Sequence, residues 1–248
     1  YVEADALVKR RISPTLAVAL GPTFYHYWYE PENNRGKILE RPSIAGLDSM
    51  SVHTNKMYMG GKAAVLINNL NSELFPTRGV QWNTEYTFLS GLTGNSGALS
   101  RLSSDMTVYA SLSEPAKLVA VIRVGGGHIF NKNFEYFQAM NLGQNNFLRG
   151  FRKNRFSGSS LAYGSLEMRW KLFQSQWHIL PGDFGVVGFA DAGRVWMRGQ
   201  DSRRWHAAYG GGVYFVPFNM VIISGTMSFS REENLFNFSA GTKINITF

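Results

Sequence analysis

Apolar and polar residues alternate with period two through most of this chain, most cleanly at its end. Phe236, Phe238, Ala240, Ile244, Ile246 and Phe248 share one face of an extended segment, with Thr242 among them. Asn237, Ser239, Gly241, Lys243, Asn245 and Thr247 take the other. Successive strand side chains point to opposite faces, so this segment predicts a strand with one greasy and one polar side. Val80, Trp82, Thr84, Tyr86 and Phe88 likewise oppose Gln81, Asn83, Glu85 and Thr87. Leu166, Met168, Trp170 and Leu172 oppose Ser165, Glu167, Arg169 and Lys171. Further extended runs are predicted near residues 2–9, 15–29, 56–69, 101–112, 117–129, 182–196, 206–216 and 220–230.

The total is about eleven strands, most of them ten residues or longer, against five or six in ordinary soluble sheets. Such lengths suit tilted strands crossing a bilayer. One alternating strand alone fits the edge of a soluble sandwich equally well. The links between strands favour the membrane reading. Short turns near Pro14, Pro115 and Pro217 alternate with long polar links at residues 30–55, 130–159 and 197–204. That alternation is the mark of a barrel with periplasmic turns and extracellular loops. The expected fold is therefore all-β, a transmembrane antiparallel β-barrel in the bacterial outer membrane. Eleven is odd, whereas bacterial barrels close with an even number of strands and lipid tolerates no open edge. Further strands are therefore expected before Tyr1.

Composition changes this picture little. The chain of 248 residues has a mean hydropathy of −0.15, and no apolar run is long enough for a transmembrane helix. Alternation hides apolar residues from such averages, so low hydropathy does not oppose a membrane barrel. Aromatic residues at 14% and 26 glycines fit aromatic girdles and tight turns. The net charge of +8 is spread over many strands and loops, not gathered on one helix, so nucleic acid is not an expected partner. Anionic lipid headgroups and a polar pore account for it better.

Candidate chemistry is sparse. There is no cysteine, which removes disulfides and thiolate sites. His26, His53, His128, His178 and His206 occupy five separate segments without metal-ligand spacing. No G-x-S-x-G elbow occurs, and Gly125-Gly126-Gly127-His128 lacks the Lys-Ser/Thr pair of a phosphate loop. Gly210-Gly211-Gly212 reads as close packing in the wall. The expectation is no active site, no metal and no cofactor within this chain.

Two segments stand apart. The long link contains N-L-G-Q-N-N-F-L-R-G-F-R over residues 141–152, and the second strand beyond it contains G-F-A-D-A-G-R-V-W over residues 188–196. Together they resemble the outer-membrane assembly and secretion superfamily that includes BamA, TamA and FhaC, also called the bacterial surface antigen family. That family carries [L/V]-R-G-[F/Y] at the tip of its sixth extracellular loop and F-x-D-x-G in its thirteenth strand. The matching residues are Leu148-Arg149-Gly150-Phe151, and Phe189, Asp191 and Gly193. The Pro76-Thr77-Arg78-Gly79 turn also recurs in the family. The resemblance spans the whole chain, as roughly the last eleven of sixteen strands. It implies that the long loop folds into the lumen and is locked there by Arg149 to Asp191.

The residues support that lock independently. Val186, Gly188, Ala190 and Ala192 form a face compatible with lipid, so Asp191, Phe189 and Gly193 must point inward. A carboxylate there needs a partner, and an arginine supplies a two-pronged one. Glu167 faces inward and is a candidate for the same network. Gly150 permits a tight loop tip, and Gly193 is expected to let loop backbone approach the wall. Phe248, Ile246 and Ile244 resemble the C-terminal sorting signal of outer-membrane proteins, and they equally fit lipid-facing residues.

The resemblance implies a role in inserting outer-membrane proteins or in moving polypeptide across the membrane. Expected partners are outer-membrane lipids and client polypeptides, with upstream periplasmic POTRA domains and possible lipoprotein accessory subunits. Two alternatives stay open: an anchor or export barrel for a fused patatin-like or phosphoesterase enzyme, and a passive pore.

Overall fold

The structure, a computed structural model, describes residues 1–35, 40, 52–94, 96–143, 147–176, 180–197 and 204–242. Among them no helix is long and apolar enough to cross a membrane, which does not bear on crossing by strands. The chain is all-β. Its strands are β1 (Val2–Asp5), β2 (Val8–Arg11), β3 (Leu16–Tyr27), β4 (Lys56–Leu70), β5 (Gly79–Gly91), β6 (Leu99–Ser111), β7 (Leu118–Ile129), β8 (Met140–Leu142), β9 (Phe156–Gly158), β10 (Ser160–Ser175), β11 (Gly182–Trp196), β12 (His206–Pro217), β13 (Val221–Ser230) and β14 (Asn234–Thr242). One twelve-stranded sheet runs β1-β3-β4-β5-β6-β7-β10-β11-β12-β13-β14, with β2 also paired to β3. Strands β8 and β9 form a separate two-stranded sheet within the long link.

The first expected strand is broken. β1 pairs with the second half of β3 and β2 with its first half, both antiparallel. Elsewhere the period-two segments become strands within a few residues of the expected bounds. Ile244, Ile246 and Phe248 lie outside the described residues.

The polarity of the strands is inverted relative to a soluble protein. Along β3, Ala17, Ala19, Thr23, Tyr25 and Tyr27 are buried while Val18, Leu20 and Phe24 are exposed. Buried polar residues elsewhere include Lys56, Lys62, Thr87, Thr107 and Asp191, while Met59, Val65, Trp82, Phe88, Trp170 and Phe236 are exposed. Water penalises such an apolar face, and lipid does not.

The chain divides into two compact units. The first holds residues 1–66, 84–103 and 128–139, and the second 67–83, 104–127 and 140–248. In the first, Lys62 on β4 is only 6% exposed. It donates to Glu3 at 2.7 Å and Asp5 at 2.5 Å, tying β1 across β3. In the second, β10 to β14 pair in sequence with continuous antiparallel registers apart from a bulge after Lys171. These five strands carry the candidate site.

Candidate functional site

Register places the site residues. Ser165 on β10 lies opposite Asp191 on β11, and Glu167 opposite Phe189. On the other side of β11, Asp191 lies opposite Ala208 and Phe189 opposite Gly210, both on β12. Because side chains alternate, Phe189, Asp191 and Gly193 share the buried face while Gly188 and Ala190 are exposed. The row therefore offers a carboxylate, a ring and a hydroxyl beside two positions with little or no side chain. Adding a Cβ at Gly210 would bring it to 2.6 Å from the Phe189 ring. The ring occupies space that only glycine leaves at this position.

The long link brings its tip onto this row. Gly143 accepts a hydrogen bond from the Leu148 N–H at 3.0 Å. Phe147 takes the left-handed conformation, with φ of 72°, which is uncommon for a residue with a side chain. Its ring stacks on Tyr163 with centroids 4.1 Å apart, and the Arg123 guanidinium lies over it at 4.0 Å. Arg123 itself forks onto Asp105 at 2.7 and 2.8 Å. Leu142, Leu148, Phe151, Tyr163 and Ala208 form a buried apolar cluster, with Phe147 packed against it. Burial of these apolar groups opposes the entropy cost of ordering a long loop.

Arg149 is thereby aimed at Asp191. Its Nε donates to Asp191 Oδ2 at 2.9 Å, and its Nη2 donates to Oδ1 at 2.7 Å. The backbone N–H of Arg149 reaches Oδ2 at 3.1 Å, and the Ser165 hydroxyl donates to Oδ1 at 2.7 Å. Each Asp191 oxygen thus accepts two hydrogen bonds. Arg149 Nη1 donates to Glu167 Oε2, and Arg169 Nε donates to Glu167 Oε1 at 2.7 Å. Two arginines and two carboxylates balance, so the network carries no net charge. The Arg149 guanidinium lies 3.6 Å above the Phe189 ring centroid, a cation–π contact. Burial alone would lower the Arg149 pKa, but Asp191 and Glu167 hold it above its ordinary value.

The tip reaches further than this pair. The Arg149 carbonyl accepts a hydrogen bond from Ser228 on β13 at 2.9 Å and from Asn237 on β14 at 3.5 Å. A Cβ on Gly150 would lie 2.5 Å from that of Ala208 and 3.1 Å from that of Ser230, so its missing side chain permits direct contact with the wall. Beyond the tip, Phe151 packs edge-on against Phe156 and His206. Arg152 pairs with Glu233 at 2.8 Å, and Arg155 with Glu232 at 2.7 Å.

Arg149, Glu167, Phe189 and Asp191 therefore meet at one point, with Gly150 and Phe151 packed beside it. Gly193 contributes differently from the expectation: the group a Cβ there would strike is the Leu142 side chain, at 2.6 Å, not loop backbone. Ser165, Ser228, Phe147 and Tyr163 were not among the expected site residues. Ser165 was the most accessible of these, since it shares the inward phase of β10 with Glu167. The sorting-signal residues cannot be placed beside them, lying outside the described segments. Among the described residues no group of three or more His, Asp or Glu is arranged to hold a metal ion.

The sheet is similar to that of a solved barrel. The crystal structure of BamA from Haemophilus ducreyi lacking POTRA domains 1-3 matches with a TM-score of 0.69 at 16% identity, over 96% of this chain and 54% of that one. The chain thus spans about half the length of that relative, and the likeness at this identity speaks to fold. No curated protein matches the sequence. The Omp85 superfamily domain, in contrast, matches residues 1–245, nearly the whole chain. Residues 1–245 place this all-β chain in the Omp85 superfamily.

Proposed function

We propose that this chain is the membrane-embedded barrel of a protein that assists the insertion of outer-membrane proteins or passes polypeptide across the outer membrane. The single observation that carries the reading is the charge-balanced network in which a loop arginine forks onto a buried strand carboxylate. A loop fixed to the barrel at several points favours a gated barrel over a permanently open pore. Membership of the Omp85 superfamily supports the same reading. The exposed apolar faces of the strands support placement in lipid, and the buried polar faces support a hydrated interior.

In this reading the barrel performs no covalent chemistry. The loop tip acts as a plug and brace: Arg149 holds it to β11, while its carbonyl meets β13 and β14. Client polypeptide and surrounding lipid are the partners. POTRA domains, lipoprotein subunits and a C-terminal sorting signal at Ile244, Ile246 and Phe248 belong to the same proposal.

The test is reconstitution of the full-length protein into liposomes, with an unfolded outer-membrane barrel protein as client. Heat-modifiable mobility reads client insertion. Faster insertion than in empty liposomes, reduced by D191N, is the expected result. Insertion no faster than in empty liposomes, with the reconstituted protein itself folded, would overturn the reading.

A further inference from the structure

The lock uses only the second half of the long link. Its first half holds a buried ion pair and a stack of rings that the lock does not explain. Residues 135–138 read Glu-Tyr-Phe-Gln and form a short turn of 3-10 helix from Tyr136–Gln138. The Phe137 ring stacks on Tyr27 with centroids 4.3 Å apart and planes 7° from parallel. It also stacks on Tyr25 at 5.9 Å and meets Tyr58 edge-on at 6.4 Å. Tyr136 donates to the Tyr27 hydroxyl at 3.0 Å, which donates onward to the Val52 carbonyl at 2.8 Å. Lys56 is 1% exposed, and its ammonium pairs with Glu135. Glu135 and Gln138 cap each other's backbone N–H groups, which satisfies both of those donors.

All these groups lie within the first compact unit, whereas Met140 onward belongs to the second. The buried ammonium supplies the decisive point. A lysine this buried is costly without a carboxylate, and the one its ammonium pairs with at Glu135 belongs to the loop. The wall of the first unit is thus built to be covered by residues 135–138.

We propose that residues 135–138 form a second clamp on the long loop, independent of the Arg149–Asp191 lock. Tyr25, Tyr27 and Tyr58 make its cradle, Phe137 is the inserted ring, and Lys56 is the positioning residue that fixes Glu135. Breaking the lock frees the loop from Met140 onward and leaves the first clamp closed. Loop release is then a two-step event, and the first half of the loop stays docked while its tip moves. The inference rests on these contacts alone and stands whether or not the barrel handles polypeptide.

Two buried positions three residues apart report the two clamps. Ala139 is 8% exposed in the first unit, and Leu142 is 0% exposed in the second. The 248 residues contain no cysteine, so A139C and L142C are read separately by maleimide labelling of the full-length protein in native outer membranes. Only the fraction with heat-modifiable, folded mobility is scored. R149Q is expected to raise labelling of L142C by about tenfold or more and that of A139C by less than about twofold. F137A is expected to do the reverse. D191N replaces R149Q, and K56M replaces F137A, where either first variant fails to fold. A rise of both reporters together in either variant would overturn the proposal, because the loop would then open as one body. A rise of neither would overturn it equally, because the named contacts would then hold nothing.

Discussion

The two halves of the long loop are held by different physics. At residues 147–151 the hold is ionic: a guanidinium fork, two carboxylates and a hydroxyl joined by hydrogen bonds. At residues 135–138 it is mostly aromatic: one phenylalanine among three tyrosines, with one ion pair beside them. Buried ionic networks fail abruptly, because removing one member leaves another charged and unpaired. Ring stacks lose their energy in proportion to the surface removed. The loop tip is therefore expected to release abruptly when one member is removed, and the segment before it gradually.

The largest expected effect comes from breaking the ionic side alone. D191A leaves the Arg149 fork facing an empty site and is expected to weaken loop docking by about 3–5 kcal/mol. D191N keeps the shape and is expected to cost less. Labelling of L142C in the two variants checks the order. On the aromatic side, F137A is expected to cost less than the about 3–5 kcal/mol of a fully buried phenylalanine, because Phe137 is only partly buried, read by labelling of A139C. F137L is expected to recover part of that loss, whereas no conservative change at Asp191 recovers the fork.

A steric test sharpens the comparison further. G150A places a methyl group 2.5 Å from the Ala208 Cβ and is expected to destabilise the docked tip by about 1–3 kcal/mol. A208G opens space against that methyl and is expected to rescue it partly. Smaller effects are expected at the rim. Arg152 and Arg155 are 74% and 51% exposed and pair with Glu233 and Glu232. Removing either pair alone is expected to change L142C labelling by no more than about fivefold, because an exposed ion pair contributes about 0–1 kcal/mol.

The smallest effect is in pH. Burial, and then the hydrogen bond to Tyr27, push the Tyr136 phenol well above its ordinary 10.0, with the Glu135 carboxylate acting in the same direction. A raised folded-state pKa contributes stability that is full below the unfolded value and lost as pH rises through the folded one. Labelling of A139C, divided at each pH by that of the denatured protein to remove titration of the thiol itself, is therefore expected to stay flat between about pH 7 and 9 and to rise only above about 10. A rise centred near pH 8 would contradict this burial.

The sequence disclosed the ionic half far better than the aromatic half. Asp191 and Glu167 stand at inward positions of long alternating strands, where a carboxylate is conspicuous, and Arg149 stands in a short recognisable motif. Residues 135–138 gave no such signal. A three-residue turn has no periodicity, and Tyr25, Tyr27 and Tyr58 read as ordinary strand aromatics until folding gathers them around Phe137. The broken first strand was only faintly marked: the consecutive apolar residues Ala6, Leu7 and Val8 interrupt the alternation where β1 ends and β2 begins. Gly193 was legible as a site of close approach, but that its neighbour is the Leu142 side chain depends on the β8–β9 hairpin. Three-residue strands of that kind leave little trace in composition.

The central claim is that Arg149 and Asp191 hold the loop tip by acting on each other. The most direct test is a double-mutant cycle of R149Q, D191N and both together, with L142C labelling in folded full-length protein as the readout. The account predicts strong non-additivity: the double variant labels no faster than the worse single variant, a coupling of about 1–3 kcal/mol. Additive effects of the two substitutions would contradict it, because each residue would then be acting through other partners.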